Sequence, residues 1–311
     1  MINSVKKVIL VFGGSGLLGV HCHHLLKHNF ELILTYNSNQ IPSDNYVFFN
    51  ALNSSLELDR LLVKYRPDII INALGFVTVD GCETSPEIAD RLNVGFVKDL
   101  VISLKNNNLD GVHLIQISSD SVYGQKKDNN IQPWTEMDPL EPMSVYANTK
   151  MKSEAEAFNH SGPVSVLRVA FYGINPYSKD SLLWFIIENA INNKKIDGWQ
   201  NIYFSPISAI AFVEKIQLII ENTITGTFNI GCSDSCNKFE FIEAVFEGIG
   251  HKGEINPVSN NSFKGPIIRP EYSVLDSKKL SAIIPLELGW RKDLNRYLKI
   301  KKTMKITYKN L

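Results

Sequence analysis

The sequence of 311 residues lacks an excess of either charge, because 32 basic residues balance 32 acidic ones. Proteins that bind nucleic acid concentrate Lys and Arg, so this balance argues against a nucleic-acid partner. The one basic cluster runs from Lys299 to Lys309, and we interpret it as a solvated tail.

Cysteines and long apolar runs are also scarce. The four cysteines form no CxxC pair, which favours free thiols in a reducing compartment over a disulfide framework. The apolar run from Val8 to Phe12 is too short to span a bilayer, and no signal-peptide pattern follows it. We therefore expect a cytoplasmic protein without a membrane partner.

Apolar segments with strand character alternate with segments of helical spacing over the first half of the chain. The predicted strands are 8–12, 31–35, 47–49, 69–71, 112–117 and 164–169, and the predicted helices are 17–28, 56–65, 88–104 and 145–158. This alternation predicts an α/β fold with a doubly wound parallel (Rossmann) sheet.

The alternation loosens after residue 170. Gly, Pro and Asn interrupt the segments 175–196 and after 236, which is typical of inserted substrate loops. We therefore predict a dinucleotide-binding domain over 1–170, to which later segments return, and a smaller C-terminal substrate lobe mainly over 171–311.

The first strand runs directly into a glycine-rich turn. Gly13 permits the tight turn, Gly16 lets the backbone approach a diphosphate, and Gly19 allows close packing of helix on strand. The following helix begins at this turn, so its unpaired N–H groups face the phosphates. The turn therefore predicts a dinucleotide site.

The residues after the second strand decide between the two nicotinamide dinucleotides. An NAD site usually places an acid there to bind the ribose 2′-hydroxyl, but Tyr36, Asn37 and Ser38 carry no carboxylate. Asn and Ser can donate to a 2′-phosphate, so NADP (as NADPH) is favoured. No Arg is present to clamp the phosphate, and NAD stays an alternative.

Tyr146 and Lys150 begin a predicted helix, where they lie one turn apart on the same face. A cation one turn away favours the phenolate, which would make Tyr146 a usable proton donor to a carbonyl. Ser119 follows the preceding strand and can bond the same oxygen. Asn93 lies on the helix before that strand, where it can support a relay to Lys150.

Three segments together resemble the extended short-chain dehydrogenase/reductase family: GGSGLLG from residue 13, SSDSVYG from residue 118 and YANTK from residue 146. Further segments are similar to its dTDP-4-dehydrorhamnose reductase branch: VDGCE at 79–83, LR at 167–168 through YG at 172–173, and RPEYSVLD at 269–276. The resemblance implies reduction of a nucleotide-linked keto-sugar, with Ser119, Tyr146 and Lys150 as the catalytic triad.

With this resemblance we assign two sets of binding residues. The expected dinucleotide contacts, besides Lys150, are Gly13, Ser15, Gly16, Leu17, Leu18, Gly19, Tyr36, Asn37, Ser38, Asn50, Ala51, Leu52, Ala73, Leu74 and Gly75. The expected substrate contacts are Val79, Asp120, Ser121, Phe171 and Arg269, of which Arg269 can pair with a diphosphate.

The chain departs from the branch at three positions: Asn50 replaces the Asp of the third strand, Val77 a Thr, and Phe171 a Trp of the sugar pocket. The last two changes point to a sugar other than dehydrorhamnose, or to a different nucleotide.

The chain lacks the catalytic groups of two related activities. Ser121 stands where the dehydratases of the family have their Glu base, and Asp120 stands where the epimerase–reductases have a Cys. Two alternatives to a reductase stay open: a 4-epimerase that retains its NAD, and a non-catalytic NADP-binding regulatory subunit.

Two further expectations concern assembly and metals. Apolar residues of helices 88–104 and 145–158 correspond to those that build a four-helix dimer interface in related enzymes, so we expect a homodimer. Four histidines crowd the first predicted helix without a carboxylate nearby, and we expect no metal site there.

We predict a higher catalytic efficiency with NADPH than with NADH, because no carboxylate follows the second strand to repel the 2′-phosphate. Replacing Tyr36, Asn37 or Ser38 by Asp should move this preference toward NADH. Steady-state kinetics with both cofactors measures the ratio, and a markedly better efficiency of the unaltered protein with NADH would contradict the prediction.

Overall fold

The structure is a computed structural model, and it describes residues 6–53, 55–125, 132–251, 253–259, 270–285 and 288–303. Its strands are β1 Val8–Phe12, β2 Glu31–Tyr36, β3 Tyr46–Phe48, β4 Ile69–Asn72, β5 His113–Ile117, β6 Val164–Tyr172, β7 Ile196–Trp199, β8 Tyr203–Phe204, β9 Pro206–Ser208, β10 Gly226–Ile230, β11 Cys236–Asn237, β12 Ile255–Val258 and β13 Tyr272–Ser273.

The helices cover both halves of the chain. They are α1 Leu17–Leu26, α2 Ser55–Tyr65, α3 Val79–Thr84, α4 Pro86–Asp90, α5 Phe96–Asn106, α6 Val145–Ala157, α7 Leu182–Ile191, α8 Ala209–Glu221, α9 Lys238–Ile249, α10 Lys278–Ser281 and α11 Trp290–Thr303. Two short 3-10 helices, Ala51–Asn53 and Asp120–Tyr123, follow β3 and β5.

The main sheet has the strand order β3-β2-β1-β4-β5-β6-β10, and β9 pairs with the far end of β6. Every pairing in it is parallel, with Leu10 of β1 opposite Ile33 of β2 and Ile70 of β4. The predicted doubly wound parallel sheet is confirmed. Its two last strands, β9 and β10, come from beyond residue 170 and add to the sheet through β6.

The unbroken apolar run of β1 is explained by helices on both faces of the sheet. Ile9 and Val11 point into a core shared with α1 and α8, whereas Leu10 and Phe12 point into a second core with α2 and α5. A strand covered on both faces needs apolar side chains at successive positions rather than at alternate ones.

The structure differs from the prediction in several helices. The predicted helix 88–104 contains one π turn, Arg91–Gly95, between α4 and α5. The segments that we expected to be loops contain α7 and α9, whose N-termini are capped by Ser181 and Asn237. Polar residues in these segments cap helices, and they do not mark loops.

The remaining strands lie outside the main sheet. β8 pairs with β11 and β13, and β7 pairs with β12, so that two small sheets form within the C-terminal half. None of the helices in the described ranges is both long and apolar enough to cross a membrane.

Asp293 fastens the last helix to the main sheet. Its side chain, 1% exposed, accepts hydrogen bonds from the Tyr172 hydroxyl (3.0 Å) and from the backbone N–H (2.6 Å) and hydroxyl (2.7 Å) of Ser208. Tyr172 ends β6, and Ser208 caps α8. One carboxylate therefore joins α11, β6 and the N-terminus of α8.

We predict that Asp293→Ala lowers the free energy of unfolding by about 3 kcal/mol, because it leaves three buried donors without their acceptor. Lys292→Ala, at the exposed neighbouring position of α11, is the matched control and should change stability by no more than about 0.5 kcal/mol. Urea denaturation measures both, and equal stability of the two variants would show that this junction is not needed.

Candidate active site

A cleft of about 550 Å³ opens at the edge of the sheet where β1, β4 and β5 end. Ligands of doubly wound sheets bind at this edge, where the strand order reverses. Most of the expected dinucleotide contacts line the cleft, namely Gly13, Ser15, Gly16, Leu17, Leu18, Tyr36, Asn37, Ala51, Ala73, Leu74, Gly75 and Lys150.

The glycine turn has the geometry that a diphosphate needs. Gly13 has φ +78°, and a Cβ there would lie 2.7 Å from the carbonyl oxygen of Ala73. At Gly16, the residue that precedes α1, a Cβ would meet only the Gly13 oxygen at 3.1 Å, so the backbone is open to the cleft. The N–H groups of the first turn of α1 are available there, and the turn fits a dinucleotide diphosphate.

Four expected dinucleotide contacts lie off the cleft lining: Gly19, Ser38, Asn50 and Leu52. A Cβ at Gly19 would overlap the backbone of Gly14, so this glycine permits helix packing. The Asn50 side chain accepts from the backbone N–H of Leu52 at 3.0 Å, while Ser38 and Leu52 are exposed.

Residues that the sequence analysis missed also line the cleft, among them Thr35, Phe49 and Leu92. The Thr35 hydroxyl accepts from the backbone N–H of Gly13 at 3.1 Å and thereby fixes the turn. The sequence signal for this contact is the Thr35 hydroxyl near the end of the second strand. Leu92 comes from the π turn, and only the fold brings it to the cleft.

Ser119, Tyr146 and Lys150 line the same cleft as the glycine turn. Helix α6 begins with a cap in which the Ser144 hydroxyl accepts from the backbone N–H of Ala147 at 3.1 Å. This start places Tyr146 and Lys150 one turn apart on one face. The fold therefore brings the three residues to the cleft in which a dinucleotide fits.

The hydroxyl of Ser119 belongs to a local polar network. It donates to the Asp120 carboxylate at 3.0 Å and accepts from the backbone N–H of Ser121 at 3.2 Å, so it caps the short 3-10 helix. Burial raises the pKa of Asp120, and the positive charge of Lys238 and the bond from Ser119 oppose that rise.

Burial sets the protonation of the two α6 residues. Burial raises the pKa of Tyr146 to about 12. A hydrogen bond with Ser119 lowers this pKa, and the charge of Asp120 raises it further. Burial lowers the pKa of Lys150 to about 8, against the charge of Glu154. At neutral pH the phenol is therefore protonated and the lysine is mostly cationic.

We expected the positive charge of Lys150 to lower the pKa of Tyr146, but that pKa is raised. The Lys150 ammonium, 5% exposed, donates at 2.6 Å to the backbone carbonyl oxygen of Ile117. Burial is the largest cause of the raised pKa of Tyr146, and it outweighs the hydrogen bond with Ser119 that lowers that pKa. The Tyr146 phenol therefore carries its proton at neutral pH, as a proton donor to a carbonyl must.

Asn93 does not bond Lys150 directly. Its side chain accepts from the backbone N–H of Phe76 at 2.7 Å, donates to the carbonyl oxygen of the same residue at 3.0 Å, and donates to the Thr149 hydroxyl at 2.8 Å. Asn93 therefore holds Thr149, the residue before Lys150. The π turn directs the Asn93 side chain toward the start of α6.

A second cavity of about 260 Å³ adjoins the cleft, and we call it the inner chamber. Val79, Asp120, Ser121 and Phe171 line it, and two of them, Asp120 and Phe171, also line the cleft. Four of the five expected substrate contacts thus line a chamber that adjoins the cleft of Ser119, Tyr146 and Lys150. The fifth, Arg269, lies outside the described residues. Lys238 from α9 lines the inner chamber and was missed.

The histidines of α1 take no part in the cleft lining. His21 is buried, with hydrogen bonds to the Leu17 carbonyl (2.8 Å) and the Tyr297 hydroxyl (3.1 Å). In the described ranges, no group of three His, Cys, Asp or Glu side chains has an arrangement that could hold a metal ion.

Comparison with known families gives a match over almost the whole chain. The family model described as RmlD substrate binding domain matches residues 6–303. The chain belongs to this family. The resemblance to the dTDP-4-dehydrorhamnose reductase branch is thereby confirmed.

Three relatives differ in what their names state. The chain is 24% identical to the spore coat polysaccharide biosynthesis protein SpsK of Bacillus subtilis, over 93% of this chain and 96% of that protein. It is 25% identical to the methionine adenosyltransferase 2 subunit beta of Rattus norvegicus (96% and 90%), and 24% identical to the dTDP-4-dehydrorhamnose reductase of Salmonella typhimurium (93% and 96%).

A solved structure shares the fold. The dTDP-4-dehydrorhamnose reductase of Bacillus anthracis in complex with NADP superposes with a TM-score of 0.82 at 19% identity, over 95% of this chain and 100% of that chain.

Proposed function

We propose that the protein reduces the keto group of a nucleotide-activated deoxy-sugar with NADPH, with C4 as the expected position, in polysaccharide or deoxysugar biosynthesis. The observation that carries the proposal is that Ser119, Tyr146 and Lys150 line one cleft with the glycine turn. A protonated phenol beside a dinucleotide site suits the reduction of a carbonyl. Relatives named as a dTDP-4-dehydrorhamnose reductase and as a polysaccharide biosynthesis protein support the substrate class.

The chain's own residues would handle the proton. When bound, NADPH supplies the hydride that the carbonyl carbon gains. Tyr146 donates its phenolic proton to the carbonyl oxygen, and Ser119 can donate a hydrogen bond to that oxygen. The ammonium of Lys150, on the same helix face, stabilises the phenolate that remains until a proton from solvent restores it.

The substrate would lie between the two parts of the chain. We propose that the lobe formed mainly by 171–311 binds the nucleotide-sugar, while Val79, Asp120, Ser121 and Phe171 contact the sugar. The junction of cleft and inner chamber at Asp120 and Phe171 supports this placement, because it would bring a sugar carbonyl beside Tyr146. We also propose that Arg269 pairs with the diphosphate.

The test of the function is a screen of keto-sugar nucleotides, generated in situ by a sugar-nucleotide dehydratase, with NADPH consumption as the readout. We expect turnover with at least one 4-keto-6-deoxy sugar linked to a nucleoside diphosphate. Bound NADPH without turnover over the whole panel would favour the regulatory subunit. Tightly retained NAD in the purified protein would favour the epimerase.

We predict that Tyr146→Phe lowers kcat by roughly 10²- to 10⁴-fold, because it removes the positioned acid and keeps the ring. Ser119→Ala should cost less, since it removes a hydrogen bond and leaves the proton source in place. Single-turnover kinetics, with NADPH affinity measured by fluorescence as the control, separates chemistry from cofactor binding. Full activity of Tyr146→Phe would mean that another group is the acid.

The pH dependence of reduction should follow Lys150. Because burial lowers the pKa of Lys150 to about 8, its charge is present below that pH and is lost above it. Tyr146, with a pKa raised to about 12, remains protonated through this range. We predict that kcat/KM falls as the pH rises through about 8; a flat profile up to pH 10 would contradict this assignment.

We further propose a homodimer. The predicted interface helices, 88–104 and 145–158, expose large apolar side chains. Ile88 of α4 is 45% exposed, Ile102 of α5 48%, and Phe158 after α6 48%. Light scattering at micromolar concentration should give about twice the mass of the chain, and Ile102→Glu should shift the protein toward the monomer. A monomer in the unaltered protein would contradict the proposal.

A further inference from the structure

A third cavity, which we call the outer chamber, continues from the inner one. It has a volume of about 480 Å³, and its lining is mainly apolar with the aromatic side chains of Phe185 and Trp199. Four residues line both chambers: Val79, Leu182, Ile202 and Lys238. The inner chamber therefore adjoins both the cleft and the outer chamber, and Val77 lines the cleft as well as the outer chamber.

The charges along this path are few. Asp120 lines the inner chamber and Asp197 the outer one. Of the described residues that line either chamber, Lys238 alone carries a positive charge, and it stands at the border that the two share. A ligand that occupies both chambers would lie beside this lysine.

Hydrogen bonds fix the backbone at and around Lys238. Lys238 is the first residue of α9, and its N–H donates to the carbonyl oxygen of Ile202 at 3.0 Å. Asn237 and Glu240 form a reciprocal capping box, with hydrogen bonds of 2.8 and 2.9 Å, just before and within the first turn. The backbone that carries the ammonium is thus fixed before a ligand binds.

The side chain of Lys238 is also confined. Its Nζ lies 3.3 Å from the centroid of the Phe204 ring, a cation–π contact that covers one side of the ammonium. Its positive charge acts on the buried carboxyl of Asp120, where it opposes the effect of burial on the pKa. The ammonium is therefore close enough to the inner chamber to act on charges within it.

We propose that Lys238 binds the diphosphate that links the sugar to the nucleoside, with the sugar in the inner chamber and the base in the outer one. This inference rests on the proposed function. In a nucleotide-sugar the diphosphate lies between sugar and base, as Lys238 lies between the chambers. An ammonium on a fixed backbone pairs well with phosphate oxygens, and the aromatic walls of the outer chamber suit a base.

The experiment measures binding without turnover. Isothermal titration calorimetry of the full chain with bound NADPH uses the thymidine, uridine, guanosine, cytidine and adenosine diphosphates as probes, together with the monophosphate of the best binder. The variants are Lys238→Met, which keeps most of the side-chain length, and Lys238→Arg, which keeps the charge. Lys64→Met, on α2, is the control for loss of one positive charge elsewhere.

We expect Lys238→Met to weaken the best diphosphate by about 10- to 100-fold, the usual worth of a hydrogen bond to a charged group. The monophosphate should lose less, Lys238→Arg should keep most of the affinity, and Lys64→Met should bind as the unaltered protein does. NADPH affinity and melting temperature should stay the same in all variants, which excludes a disturbed fold.

Two results would overturn the inference. Unchanged diphosphate affinity in Lys238→Met would leave the lysine as a partner of Asp120 only. A loss that Lys238→Arg shares in full would assign the residue to packing at Phe204 rather than to charge. If the NADPH-bound protein binds none of the five diphosphates, the proposed function itself fails, so the two failures are distinguishable.

Discussion

The ion pair between Glu154 and Arg168 joins helix α6, which carries Tyr146 and Lys150, to strand β6. Its N–O distance is 2.6 Å, and both side chains are 6% exposed. Glu154 also accepts from the Ser118 hydroxyl at 2.5 Å, next to Ser119, and lies one turn after Lys150 on α6. A buried pair is costly to break once formed, because one partner is then left as an uncompensated charge. Helix α6 and the end of β5 are thereby held in one relative position.

The network extends from this pair toward the C-terminal half. Arg168 of β6 donates to the Tyr123 hydroxyl at 2.7 Å, and that hydroxyl donates to the Asn229 side chain of β10 at 2.7 Å. The Tyr123 ring stacks on Trp134 with centroids 5.1 Å apart. The same contacts that hold α6 therefore also hold β10, one of the two strands from the second half that extend the main sheet. A rigid junction would suit the proposed substrate, which we place between groups from both halves of the chain.

The sequence could predict what local patterns determine. Glycines with a required backbone geometry, a helix start with Tyr146 and Lys150 one turn apart, and continuous apolar strands all depend on short segments. It could not predict what depends on distant packing. The pKa of Tyr146 follows from burial by several elements, and the inner-chamber position of Lys238 follows from the placement of α9. The bonds of Asn93 follow from one π turn that no apolar spacing signals.

The central claim is that Tyr146 and the glycine-turn cleft together serve the reduction of a sugar carbonyl. The most direct measurement uses NADPH deuterated at C4 of the nicotinamide, on the transferred face, with the keto-sugar nucleotide that the screen identifies. We predict one deuterium on the former carbonyl carbon of the product and none at any other ring position, as read by NMR. Label at another ring carbon, or a reduced product without label, would contradict the account.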